Sequence, residues 1–101
     1  MTYLDALAEE IRRAVSPSAL PDEDTTGLVL SYAVLLLAKG EDVTREDVHN
    51  AWVAWMSSKG HGDESHESMV PFSELPPETQ AEDSPFVIAI RTVARKRQAE
   101  P

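Results

Sequence analysis

The segment from Gly27 to Ala38 constrains the fold more than any other part of the chain, because it is apolar almost all round at helical spacing. A helix of this kind needs apolar neighbours on most of its surface. The run is shorter than the roughly 18 apolar residues of a membrane-spanning helix. It therefore predicts the central helix of a small domain, which begins near Thr25 or Thr26 and ends at Gly40.

Two further helices are predicted to flank this central helix along the chain. The first follows Thr2, which can cap it, and its apolar residues recur at helical spacing from Tyr3 to Val15. The second begins after Thr44, because an acid three residues later resembles a capping box, and it continues to about Ser58.

The C-terminal part of the chain contains two proline signals for helix starts. Pro76 or Pro77 can begin a short helix, and Ser84 followed by Pro85 is typical of an N-cap with proline at the first helical position. The second signal predicts the start of the last helix. Before these prolines, the apolar residues Met69–Phe72 are expected to lie across the helices as a clip.

Together these elements predict the fold class all-α, a small single-domain bundle of about four helices with an extended Val-Pro-Phe clip between helices three and four. Residues 1–101 are expected to form a single helical domain, which agrees with the size of an ordinary domain. Within it, residues 1–45 would form an N-terminal helical pair and residues 46–97 a second segment. Six side chains are expected to be mostly buried: Leu30, Val34, Leu37, Trp52, Ile90 and Val93.

Composition excludes several classes of protein. The chain has no cysteine, which rules out disulfides and thiolate zinc sites. Its first residues carry an acid where a signal peptide would carry bases, so we expect a cytoplasmic protein that does not associate with a membrane. The net charge of −9 argues against direct binding to nucleic acid, because such binding depends mainly on Lys and Arg.

The charge is unevenly distributed. Residues 61–83 contain seven acids and no Lys or Arg, whereas residues 84–101 contain four bases and one acid. A solvated acidic loop followed by bases near a helix C-terminus explains this pattern. The same charge pattern is also explained by an acidic surface that mimics nucleic acid and binds a basic protein partner.

Aromatic residues and a histidine share one face of the third predicted helix. Trp52 and Trp55 lie on neighbouring turns, and His49 borders them. The indoles could form a stacking platform for a ligand, or one of them could belong to the core. His49 could donate a hydrogen bond to a ligand or could be a hydrogen-bonded structural residue.

The best sequence argument for an enzyme is a group of metal-type ligands, His61, Asp63, Glu64 and His66. Their spacing lacks the helical His-Glu-x-x-His geometry of zinc hydrolases, so a metal-dependent hydrolase is the weakest of the hypotheses. No serine-histidine-aspartate order, phosphate-binding glycine loop or catalytic carboxylate pair stands out. We therefore predict no enzymatic activity, no metal and no cofactor.

Three features between His49 and the last helix resemble the ryanodine receptor repeat, a small helical module. They are His49-x-x-Trp52, the clip His66-x-x-Met69-Val70-Pro71-Phe72-Ser73-Glu74-Leu75, and Asp83 before a terminal helix. The chain differs from that family at Glu67, where the family has proline, and in lacking a Gly-Trp-x-x-Gly stretch. The whole pattern also resembles small actinobacterial and actinophage proteins of unknown function.

The resemblance implies a non-catalytic module that senses a ligand, including nucleotide-derived signals, or acts as an adaptor. The ligand-binding residues that it implies are His49, Trp52, His66 and Phe72. The leading hypothesis is thus a small-ligand or protein-binding domain with its groove between the third helix and the clip. The alternatives are the acidic partner-binding surface and, last, the metal-dependent hydrolase.

Overall fold

Every long helix predicted from the sequence is present in the computed structural model, which describes residues 2–21, 23–59 and 67–99. Four long helices and one single-turn helix follow each other along these residues, and no strand occurs among them. The all-α fold is therefore confirmed. The helices are α1 (Tyr3–Ala14), α2 (Thr26–Lys39), α3 (Arg45–Ser58), α4 (Pro77–Gln80) and α5 (Ser84–Ala99).

Two capping boxes define the starts of α1 and α3, which confirms the predicted cap at Thr2 and the predicted box at Thr44. The Thr44 hydroxyl accepts a hydrogen bond from the backbone N–H of Asp47 at 3.2 Å, and the Asp47 carboxylate accepts one from the Thr44 N–H at 2.9 Å. Thr2 and Asp5 form the same reciprocal pair at the start of α1. An aspartate therefore serves as well as the more usual glutamate at the third position.

Helix α2 ends at Gly40, as predicted from the sequence. Gly40 has a φ of +57°, a conformation that disfavours residues with a side chain, and its N–H donates to the carbonyl of Leu36. A 3₁₀ turn at Gly40–Asp42 then leads into α3.

The predicted N-cap at Ser84 is wrong. Ser84 has helical dihedral angles, φ −59° and ψ −42°, and follows a 3₁₀ turn at Ala81–Asp83 that itself continues from α4. Pro85 has no N–H to donate to the carbonyl of Ala81, and the N–H of Ser84 makes that bond in a 3₁₀ pattern. The proline therefore marks a change of helix type inside a continuous helical segment that begins at Pro77.

The hydrophobic core is one cluster to which α1, α2, α3 and α5 all contribute. Ile90 and Val93 are buried as predicted, and Leu30 and Trp52 are partly buried. The prediction for Val34 and Leu37 is wrong, because they are 53% and 46% exposed. The buried residues of α2 lie on one face of the helix, towards α1, α3 and α5, and are Leu28, Val29, Tyr32, Ala33 and Leu36.

The clip extends from Met69 to Leu75 and is anchored at these two ends. Met69 and Leu75 are buried, whereas Phe72 is only partly buried. Pro71 has a polyproline-type backbone (φ −54°, ψ 144°), and Phe72–Glu74 forms a single 3₁₀ turn. Across the described ranges, no helix has the length and apolar character needed to cross a bilayer.

Candidate functional site

His49 joins α3 to the clip. Its side chain is 3% exposed, and its Nε2 atom lies 2.7 Å from the carbonyl oxygen of Val70. A carbonyl can only accept, so Nε2 carries the hydrogen. The imidazole stacks on the Trp52 ring, with centroids 5.9 Å apart, and lies 6.0 Å from the Phe72 ring.

Three of the four predicted ligand-binding residues, His49, Trp52 and Phe72, therefore meet around one imidazole. The fourth, His66, lies outside the described residues, as do His61, Asp63 and Glu64 of the predicted metal-type cluster. In the part of the chain that the structure describes, no three metal-ligating side chains lie together. The contact between α3 and the clip is thus filled by the His49 ring.

A cavity of about 450 Å³ lies beside this contact. His49 and Trp52 form part of its wall, whereas Phe72 is not among the described residues that line it. Its size is within the range of small-ligand sites. The other described lining residues come from the loop before α2, from α2 itself, from the clip and the residue before it, and from α4, α5 and the turn between them: Ser18, Ala19, Pro21, Leu28, Tyr32, Ser68, Leu75, Thr79, Glu82, Asp83, Pro85 and Phe86.

Tyr32 contributes its hydroxyl to this cavity. The residue is 2% exposed, and its ring packs 5.2 Å from that of Phe86. Within the described part of the chain, no buried polar side-chain atom lacks a partner, yet none of the hydrogen bonds there involves the Tyr32 hydroxyl. The hydroxyl must therefore border the open space that the residue lines. Burial raises its pKa above the ordinary value, and the charge of Asp83 raises it further.

Asp83 contributes a carboxyl group that is partly buried. Burial raises its pKa from 3.8 to about 6, His49 and Arg45 oppose this shift, and Glu82 adds to it. No hydrogen bond or salt bridge to another described residue stabilises the charged form. At neutral pH the cavity wall therefore carries a partly desolvated carboxylate and the Tyr32 hydroxyl.

The cavity wall is aromatic and negatively charged. Glu82 and Asp83 are the charged residues among its described lining, which includes no Lys or Arg. The guanidinium of Arg45 lies 5.8 Å from the centroid of the Phe72 ring and is not among the described lining residues, although its charge favours the ionised form of Asp83. An anionic ligand would meet repulsion here, whereas a cation or an N–H donor would meet acceptors.

The structure also shows which tryptophan belongs to the core. Trp55 is 7% exposed and packs against the backbone of Gly27, where an added Cβ would lie 3.4 Å from the indole Cδ1. The Lys59 ammonium lies 4.1 Å from the centroid of the Trp55 ring. Trp52 is the tryptophan that lines the cavity.

Sequence reasoning did not select Tyr32 and Asp83 as site residues. Tyr32 carries a signal, because it places a polar tip in the most apolar helix of the chain. Asp83 carries none beyond its place in the resemblance, since it is one of seven acids in residues 61–83 and nothing local separates it from the solvated ones.

Comparisons with known proteins give a family but no function. No curated protein and no solved structure gives a significant match to the chain. Nothing among these comparisons relates it to the ryanodine receptor repeat. One family model matches residues 2–95, a range that includes α1 to α4 and most of α5, so the chain belongs to the family described as Domain of unknown function (DUF7701).

Proposed function

We propose that this protein is a non-catalytic domain that binds a small ligand in the cavity beside His49 and Trp52. One observation carries the proposal, namely that two polar groups of the cavity wall, the Tyr32 hydroxyl and the Asp83 carboxylate, have no hydrogen-bond partner among the described residues. Both groups face the open space of the cavity, since no buried polar side-chain atom among the described residues lacks a partner. A ligand with matching donors and acceptors would replace the water that hydrates them.

The polar groups of the wall suit recognition of a ligand. His49 donates from Nε2 to the Val70 carbonyl at 2.7 Å, which holds its ring in place. The raised pKa of Tyr32 keeps its hydroxyl protonated at neutral pH.

The position of the cavity also suits a sensing or adaptor role. Its wall combines residues of α2, α3 and the α4–α5 segment, so a ligand would bridge elements that are distant in sequence. Binding to the folded state alone would stabilise the arrangement of these elements. We therefore infer that ligand binding makes the packing of these elements more rigid.

Fragment screening by protein-observed NMR tests this proposal. Binding fragments should shift the backbone amides of Tyr32, Trp52 and Phe86 together, and Trp52→Ala should remove these shifts while the circular dichroism spectrum stays helical. Val34→Ala is the matched control, because Val34 lies on the exposed face of α2. A library of several hundred small fragments that leaves all cavity amides unchanged would contradict the proposal.

A second candidate function, binding of a basic protein partner, is favoured by the exposure of the acidic segment. Glu67, Glu74, Glu78 and Glu82 are all exposed. The bases of α5 do not neutralise them, since Arg95 pairs with Glu41 at 2.9 Å and Lys96 with Glu10 at 3.4 Å. This surface is thus free to attract a partner of opposite charge.

A further inference from the structure

The chemistry of the cavity wall restricts the class of ligand, and the argument rests on the proposed function. Asp83 is partly buried, and a neighbouring charge or donor stabilises a carboxylate that has lost part of its hydration. His49 and Arg45 influence this carboxylate without donating a hydrogen bond to it. A cationic group that entered the cavity would supply both the charge and the donors.

Tyr32 adds a second point of recognition in the same cavity. Tyr32 and Asp83 both line the cavity, and no hydrogen bond joins them. A protonated hydroxyl can accept a hydrogen bond through its oxygen. A ligand with a further N–H donor could therefore bond to the hydroxyl as well as to the carboxylate.

The rest of the cavity wall favours a ligand that contains a flat ring. Trp52 and Phe86 place aromatic surface in the cavity, and Leu28 and Leu75 add apolar surface. Indole and phenyl rings stack on planar groups and attract cations through their faces. The same wall carries Glu82 and no base among its described residues, which disfavours phosphate and carboxylate ligands, nucleotides included.

We infer that the cavity binds a planar, cationic nitrogen compound, such as an aromatic amidine or guanidine, through charge-assisted hydrogen bonds to Asp83 and stacking on Trp52. The Tyr32 hydroxyl accepts a further hydrogen bond from the same ligand. Asp83 is the specificity-determining residue, because it selects a cation over a neutral molecule of the same shape.

Three probes of nearly equal shape test the inference: benzamidine is cationic, benzamide is neutral and benzoate is anionic. Each is titrated into the full-length protein at about pH 7.5 and followed by NMR. Benzamidine should bind at least about tenfold more tightly than benzamide, which corresponds to about 1.4 kcal/mol. Benzoate should not shift the cavity amides. The pKa of Asp83, about 6, leaves its carboxylate ionised under these conditions.

Two variants assign the effect to its residues. Asp83→Asn keeps the shape of the side chain and should reduce the benzamidine affinity about tenfold while it leaves the benzamide affinity unchanged. Tyr32→Phe should reduce the benzamidine affinity about threefold. Glu78→Gln is the control, because this exposed acid is not among the described lining residues and its loss should leave the affinity unchanged.

The possible failures are distinguishable. Benzamide or benzoate binding at the cavity as tightly as benzamidine would overturn the inference and leave the proposed function standing. Asp83→Asn with the wild-type affinity for benzamidine would also overturn it. If none of the three probes shifts the amides of Tyr32, Trp52 and Phe86, the inference fails, whereas the proposed function fails only if the whole fragment library leaves these amides unchanged.

Discussion

At the residue scale, burial of the Asp83 carboxyl group opposes folding at neutral pH. Its pKa is raised to about 6, so the folded protein destabilises the charged form that prevails at neutral pH. Other acids of the chain behave in the opposite way. Hydrogen bonds from Thr2 lower the pKa of Asp5, and hydrogen bonds from Thr26 lower that of Asp24. Binding sites commonly retain residues that lower the stability of the protein without ligand.

Asp83→Asn should therefore stabilise the protein at neutral pH. A raised carboxyl pKa contributes stability that is fully present below about pH 3.8 and is lost as the pH rises through about 6. Asparagine does not ionise, so Asp83→Asn keeps this contribution as the pH rises. We expect a gain of roughly 1 kcal/mol above about pH 7, discounted for the solvent around the partly buried group, and a gain near zero below about pH 4.

Urea unfolding of wild type and Asp83→Asn between about pH 4 and 8 measures this difference. Asp5 and Asp24 contribute equally to both proteins, so their loss of stability in acid cancels. A variant that is less stable than wild type at neutral pH would show that the carboxylate has a stabilising partner.

His49 should stabilise the fold through its hydrogen bond and its ring. In the wild type, His49 Nε2 donates to the Val70 carbonyl at 2.7 Å. His49→Phe keeps an aromatic ring but leaves this carbonyl without a donor, so it should lower the free energy of unfolding by about 1–3 kcal/mol. His49→Ala also removes the ring packed against Trp52 and should cost more, about 2–5 kcal/mol. Chemical denaturation checks both. A His49→Phe variant as stable as wild type would show that the bond to Val70 contributes nothing.

At the scale of elements, α2 has one buried face and one exposed face, and both faces are apolar. Two adjacent leucines provide a matched test, since Leu36 is 5% exposed and Leu37 is 46% exposed. Leu36→Ala should lower the free energy of unfolding by about 2–5 kcal/mol, and Leu37→Ala by less than about 1 kcal/mol. Equal losses would indicate that another molecule covers the Leu37 face in solution.

The clip should be held by its ends rather than by its aromatic residue. Leu75 is 6% exposed, whereas the Phe72 ring is partly buried between His49 and Arg45. Leu75→Ala should therefore cost about 2–4 kcal/mol and Phe72→Ala about 1–2 kcal/mol. Thermal unfolding ranks the two variants. A larger loss for Phe72→Ala would reverse the assignment of the anchor.

At the scale of the whole molecule, charge separates the two candidate functions. Partner binding by the acidic surface should weaken steeply with salt, because exposed charges are screened over about 8 Å at physiological ionic strength. A lysine-rich peptide serves as the probe. Neutralising Glu67, Glu74 and Glu78 to glutamine should weaken its binding several-fold, whereas Trp52→Ala should not.

The opposite result would favour the cavity. Peptide binding that is insensitive to salt and to the glutamine substitutions, together with loss of ligand binding in Trp52→Ala, would remove the acidic surface from consideration. None of the three substituted glutamates is among the described residues of the cavity wall, so the two experiments do not interfere.

The sequence by itself determined the helices and most of their ends, because the forces that define them act over a few residues. Thr2 and Thr44 bond to groups three residues away, and Gly40 adopts its positive φ within one turn of α2. Even the misplaced start of α5 follows from a local rule, since a proline without an N–H suits the first turn of a helix and a 3₁₀ turn equally.

Only the tertiary structure decided which apolar surfaces meet. A helix as uniformly apolar as α2 does not reveal which of its faces is inward, and neighbouring tryptophans do not reveal which of them is core. Those choices depend on where the other helices pack. His49 reaches Val70 across 21 residues of sequence, and the cavity between Tyr32 and Asp83 exists only after α2, α3 and α5 have packed. The burial that raises the pKa of Asp83 comes from these long-range contacts, so no local pattern marks it.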